Sequence, residues 1–217
     1  MPRRWHDLYR RKMPPPDPQR EHVSLAERAA IAQRIKLRLP DLSSWSGVLH
    51  RVASPAFARQ DDRLAGVGAA RFGGRWNPLG LQAVYASFEE ATALAESQSI
   101  EEFYGLIPDD LRPKTLFRFR AAGLRVLDLT EGSLRNRLRI GEKRLLGCDW
   151  RLPPDRSDDG ELLAEPLTQA VGRVAAEAGV HALRVPSTRI RGRHNPVVFP
   201  RNLPQPDMLQ TLHPSDL

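Results

Sequence analysis

From Ser24 to Pro40 the apolar residues keep a helical period: Leu25, Ala29, Ile31, Ala32, Ile35 and Leu39 form one broad stripe. Ser24 and Glu27 have the spacing of a capping box at its start, Pro40 stops it, and Arg28, Arg34, Lys36 and Arg38 make the other face basic. "PDLSSWSG" then reads as a linker, which starts the main domain near Trp45. Beyond it the period falls to two. "VLHRVAS" at 48–54 and "AVYAS" at 83–87 predict strands, and Ser87 with Glu90 suggests a second capping box for a helix through "FEEATALAESQSIEEF". "KTLFRFRAAGLRVLDL" reads as two strands turning at Gly123, "EGSLRNRLRI" as a short helix and "DWRLPPDRSDDGE" as an exposed loop. Pro166 suits the first turn of a helix that runs to about Ala178 and is capped by Gly179, and "VHALRVPS" and "PVVFP" are the closing strands. No internal repeat, heptad, Rossmann or P-loop pattern is present, and strands and helices do not alternate regularly. The fold class is therefore α+β.

Length and composition narrow the setting. A chain of 217 residues suits one domain, and a domain of this size buries roughly 70% of its unfolded surface. The single cysteine, Cys148, cannot form an internal disulfide, and no apolar run approaches the roughly 20 residues of a membrane helix. The start, "MPRRWHDLYRRKMPPP", has no apolar stretch behind its arginines and does not read as a secretory signal. The expected location is the cytoplasm, with no membrane partner. A net charge of +7 favours anionic partners. Lysine occurs only at positions 12, 36, 114 and 143, so the charge is carried by guanidinium groups, a bias that suits planar phosphate recognition or merely reflects an arginine-rich codon usage. Residues 1–20, with Arg3, Arg4, Arg10, Arg11 and Lys12 before "PPPDP", read as a stiff basic arm. The organisation expected is an arm plus amphipathic helix over 1–45, the main domain over 46–205 and a tail over 206–217.

"GVGAARFGGRWNPLG" at 66–80 holds five glycines and two arginines, with no apolar run long enough for a strand or helix. Such a loop lets backbone approach a ligand while arginines grip phosphate oxygens; alternatively Trp76 plugs a surface turn while Arg71 and Arg75 bridge to carboxylates. Tyr85 follows in a short strand and Glu96 in the helix after it, so both can face one pocket. A tyrosine there can stack on a flat ring, and a carboxylate can hold a ribose hydroxyl or stabilise a cationic sugar. Each also has an ordinary reading, as packing and as a solvated helix glutamate. "VPSTRIRGRHN" at 185–195 places Ser187 at a strand end, but no His-Ser-Asp spacing marks a nucleophile, and His194 reads as a surface residue. One cysteine and scattered histidines do not make a zinc site, and Asp61, Asp62, Asp158 and Asp159 read as loop residues rather than metal ligands.

Together and in this order, "RVAS" at 51, the glycine loop with "AVYAS", "ATALAE" ending at Glu96, and "VPS" with "GRHNPVVF" resemble the RES domain. The resemblance spans roughly 48–200, and "GGRWNP-x-G-x-x-x-VYAS" is its most specific part. It implies a core related to ADP-ribosyltransferases, with a twisted, mainly antiparallel sheet and flanking helices, and a bacterial toxin-antitoxin toxin that consumes NAD by phosphorolysis or hydrolysis. ADP-ribosylation of a cellular protein is the alternative within the family. The residues it implies are Arg51, Glu96 and Ser187 as catalytic groups, and Arg75, Tyr85 and Asn195 as substrate-binding ones. NAD would be substrate rather than cofactor, phosphate a possible co-substrate, and no metal is implied. The partner implied is an Xre-type helix-turn-helix antitoxin, with nucleic acid reached only through it, and a homo-oligomer is possible. His50 stands where many relatives carry an aromatic, which puts that part of the pocket wall in doubt. Outside the family reading, the basic arm and helix suit a nucleic-acid-binding module whose binding weakens steeply with salt.

Overall fold

The computed structural model describes residues 21–53, 63–104 and 115–212; the basic arm, Asp61, Asp62 and the last five residues lie outside them. The main sheet is built on one long strand. β4 (Thr115–Asp128) pairs antiparallel with β2 (Ser43–Ala53) along one edge. On its other edge it takes β9 (Leu209–Thr211) antiparallel and β7 (Ala182–Pro186) parallel. β8 (His194–Val198) and β3 (Val84–Tyr85) continue the sheet, both antiparallel. Four of these five ladders are antiparallel, so the sheet is mainly antiparallel with helices against it, the α+β fold expected.

β4 is one strand, where a turn at Gly123 was expected. Ala122 and Gly123 are an extra pair set against the single Ser46 of β2, because Trp45 faces Leu124 while Gly47 faces Ala121. Gly123 takes the inserted residue at φ 62, and its amide donates to Ser46 Oγ at 2.8 Å. This β-bulge resets the alternation. Phe117, Phe119 and Ala121 before it, and Leu124 and Val126 after it, all enter one apolar core with Leu49, Val84 and Val198. Without the extra residue the second half of the strand would turn its apolar positions to the opposite face.

The opposite core is the larger. α1 (Leu25–Lys36) contributes Ile31 and Ile35, and α6 (Leu167–Glu177) contributes Leu167, Val171 and Val174, against Leu127, Leu183 and Val197 of the sheet. Ser24 caps α1 by accepting from the Glu27 amide at 3.2 Å, while the Glu27 carboxylate accepts from Arg144 instead of closing the box. A second, three-stranded antiparallel sheet joins β1 (His22–Ser24), β6 (Leu162–Pro166) and β5 (Asp155–Arg156). The exposed loop expected at 149–161 thus contains a short strand. The helix assigned to the arm shares a core with the sheet, and β9 of the assigned tail is a sheet strand. Arg28 and Arg34 of its basic face bond inward, to Glu165 Oε1 at 2.9 Å and to the Leu138 carbonyl at 3.3 Å.

The remaining helices border the sheet. α2 (Val67–Phe72) lies within the glycine loop, where no helix was expected. α3 (Glu90–Tyr104) follows β3, and α4 (Gly132–Leu138) and α5 (Glu142–Gly147) follow β4. Among the described residues no helix is long and apolar enough to cross a membrane, and no three His, Cys, Asp or Glu side chains gather as a metal-binding group.

Candidate active site

The glycine loop is a tightly packed wall. Asn77 is fully buried, and its Nδ2 donates to the carbonyls of Ala69 and Leu81, both at 2.9 Å. Its Oδ1 accepts from the Tyr85 hydroxyl at 2.7 Å, and that hydroxyl accepts from the Trp76 amide at 2.8 Å. Two glycines allow this closure. A Cβ on Gly74 would lie 2.5 Å from the Tyr85 hydroxyl, and one on Gly172 of α6 would lie 1.7 Å from the Trp76 carbonyl oxygen. Gln169, one helical turn before Gly172, donates to the carbonyls of Gly74 and Trp150 at 3.0 and 3.3 Å. Trp76 itself is a core residue at 3% exposure, so it does plug the loop, but into the main core.

Burial, opposed by the Trp76 amide and by the nearby charges of Arg75 and Arg51, raises the Tyr85 phenol well above its ordinary value. The hydroxyl is thus neutral and committed to the loop. Tyr85→Phe leaves the Trp76 amide and Asn77 Oδ1 without this partner, which is expected to cost about 1–3 kcal/mol of stability, read as a lower midpoint in thermal unfolding.

Behind this wall opens a cleft of about 710 Å³, within the range of small-molecule and cofactor sites. Arg51, Arg75, Tyr85, Glu96 and Asn195 all line it. They come from β2, the loop, β3, α3 and β8, so the sheet assembles groups far apart in sequence. Ser187 is 7% exposed and sits behind Glu96 rather than on the lining. Its hydroxyl donates to Glu96 Oε1 at 2.6 Å and accepts from the amides of Arg189 and Ile190 at 3.1 and 3.0 Å. Asn195 Nδ2 donates to the same oxygen at 2.8 Å.

The two arginines differ in how they are held. Arg51 Nη1 donates to the Tyr85 carbonyl at 2.6 Å, while its buried Nε has no hydrogen-bond partner among the described residues. Burial lowers its pKa to about 10, with Tyr85 opposing, so the cation persists at neutral pH. Arg75 Nη1 donates to the carbonyls of Leu145 and Cys148, both at 3.2 Å, and so braces the end of α5. Among the described residues it makes no carboxylate bridge, and burial is again the main cause of its lowered pKa. Arg71 is exposed and lies over the Phe72 ring at 5.3 Å. Arg151 and Arg189 also line the cleft, so among the described residues four guanidinium groups face one carboxylate, Glu96. Such a lining attracts anions.

His50 is on the lining too; burial first, and Arg118, lower its pKa against the pull of Glu90. His194 bonds Arg184 at 3.0 Å and is not on the lining. Ser87 does not cap α3, which begins at Glu90. Its backbone bridges His50 in both directions at 2.8 Å, and its hydroxyl donates to Asn195 Oδ1 at 2.7 Å. Sequence reasoning missed Ser87, Asn77, Gln169 and Trp150 as parts of this site. The Asn-Pro pair inside a glycine loop was the one signal, for Asn77.

The family model of the RES domain matches residues 48–214. Among solved structures, the crystal structure of the M. tuberculosis MbcT-MbcA toxin-antitoxin complex contains a similar chain. The two are 26% identical with a TM-score of 0.64, and the match covers 85% of this chain and 90% of that one. Among curated proteins none matches.

Proposed function

The chain belongs to the RES domain family, and from that premise we propose that it is a toxin that cleaves the nicotinamide–ribose bond of NAD. The convergence of Arg51, Arg75 and a doubly held Glu96 on one cleft carries this reading. The guanidinium groups suit the pyrophosphate, or an attacking inorganic phosphate, through charge-assisted bonds. Glu96 faces the ribose, where positive charge develops as the bond to nicotinamide breaks. The bonding pair leaves with the nicotinamide ring nitrogen, which loses its positive charge. An oxygen of phosphate or water then bonds the ribose carbon, giving ADP-ribose 1''-phosphate or ADP-ribose, and in the second case a proton passes to solvent. Ser187 acts behind Glu96, orienting it, and Tyr85 walls the pocket with its ring while its hydroxyl holds the loop.

The solved relative is complexed with an antitoxin. For this chain the reading is a protein antitoxin of the Xre helix-turn-helix type that occupies the cleft, in the cytoplasm. Phe72, on the lining yet 59% exposed, is an apolar rim for such a partner. The inward bonds of Arg28 and Arg34 weigh against the helix as a nucleic-acid-binding face. The test is incubation of the purified, antitoxin-free protein with NAD, with and without phosphate, followed by mass spectrometry. Nicotinamide with ADP-ribose 1''-phosphate, or with ADP-ribose, is expected. Unchanged NAD in both conditions, from protein shown to be folded, refutes the reading, and ADP-ribose attached to an added protein would move it to protein modification.

A further inference from the structure

We propose that Ser87 is a positioning residue that acts on Glu96 through Asn195, by fixing which end of the Asn195 amide faces the carboxylate. The inference rests on the reading of Glu96 as the group that meets the ribose. Its basis is a chain of three side chains from three elements. Ser87 Oγ donates to Asn195 Oδ1 at 2.7 Å, and Asn195 Nδ2 donates to Glu96 Oε1 at 2.8 Å. Ser187 Oγ donates to the same Oε1 at 2.6 Å from the other side.

An asparagine amide has nearly the same shape either way round, but its two ends have opposite chemistry. Turned over, Asn195 would set Oδ1 against Glu96 Oε1, two acceptors in contact, and that oxygen would lose the donor it receives beside Ser187. The Ser87 hydroxyl opposes that turn by offering its single O–H to Oδ1. No other part of Ser87 is available for the task, since its amide and carbonyl are both taken by His50 at 2.8 Å. Ser87 is 2% exposed and lies on the lining of the cleft, beside Asn195. Those same backbone bonds make the test clean: Ser87→Ala keeps the bridge to His50 and deletes only the hydroxyl.

The expected result for Ser87→Ala is a kcat for NAD cleavage lower by about ten- to a hundredfold, with KM within about threefold, because a small misplacement of a reacting group acts on the transition state. In an Asn195→Ala background the same change is expected to cost nothing further, since the hydroxyl then has nothing to orient. A kcat within about twofold of wild type, a loss carried by KM, or losses that add across the two sites would overturn the relay. A second readout is independent of the substrate. The Asn195 side-chain amide protons, followed by NMR hydrogen exchange, are expected to be protected in the wild type and to exchange faster in Ser87→Ala; unchanged exchange overturns the proposal. If wild-type protein leaves NAD intact, the function assigned above fails, and the amide measurement still decides the relay.

Discussion

Glu96→Gln is expected to lower kcat for NAD cleavage by about 10²- to 10³-fold, the loss that follows removal of one preorganised stabiliser of transition-state charge, or about 3–4 kcal/mol. The substitution is nearly isosteric. Its amide oxygen can still accept from the Ser187 hydroxyl and Asn195 Nδ2, the two donors that meet at Oε1, so the hydrogen-bonded frame survives and the negative charge is what disappears. In a cleft already lined by Arg51, Arg75, Arg151 and Arg189, that charge is the one carboxylate that the described residues place on the lining for a cationic ribose. On the proposed reading the arginines supply most of the ground-state binding, so KM is expected to change little while kcat and kcat/KM fall together. Steady-state release of nicotinamide, with a thermal melt to show an unchanged fold, reads this directly. Activity within tenfold of wild type would remove the Glu96 charge from the transition state and would shift the catalytic burden to the arginines.

How far the sequence could foretell this arrangement depended on the range of the interactions that set it. α6 and the strands at 182–186 and 194–198 were legible because helical and alternating periods, with Pro166 and Gly179 at the helix ends, act within a few residues. The S-x-x-E spacing at Ser87 misled for the opposite reason. A hydroxyl that fits a cap was taken by Asn195, 108 residues away, and the helix began at Glu90. Gly123 signalled a turn, whereas its positive φ absorbs one extra residue opposite Ser46 and lets the strand continue. β1 and β5 have three and two residues, too few to display a period. The glutamates at 89, 90, 96 and 101 look alike in sequence. What distinguishes Glu96 is contact with Ser187 and Asn195, at separations of 91 and 99 residues, so only the family resemblance could single it out before the fold was known.

A second large effect is expected from Glu165→Ala, which removes the anion from a buried cluster tying α1 to α6. Glu165 on β6 is 2% exposed. Its Oε1 accepts from Arg28 Nη1 of α1 at 2.9 Å and from Arg173 Nε of α6 at 3.1 Å, and its Oε2 accepts from Arg173 Nη2 at 2.9 Å. Breaking a buried ion pair by removing one partner typically costs about 3–5 kcal/mol, because the surviving charge loses its compensation. Here the two arginine side chains keep 26% and 30% of their exposure, so water can recover part of the loss and the lower end, about 3 kcal/mol, is expected. At about 2–4 °C per kcal/mol for a domain of this size, the midpoint of thermal unfolding falls by about 6–12 °C. The consequence reaches the cleft, since α6 also carries Gln169 and Gly172, which hold Gly74 and pack on Trp76. Glu165→Ala is therefore expected to lower NAD cleavage as the temperature approaches the new midpoint, and to spare it well below. Arg28→Ala, which leaves the two-pronged Arg173 pair intact, is expected to shift the midpoint by less. Equal shifts for the two variants would mean that the Arg28 pair carries the whole effect and the Arg173 pair adds nothing, so that the cluster's contribution would run through α1, the helix preceding the family-matched residues.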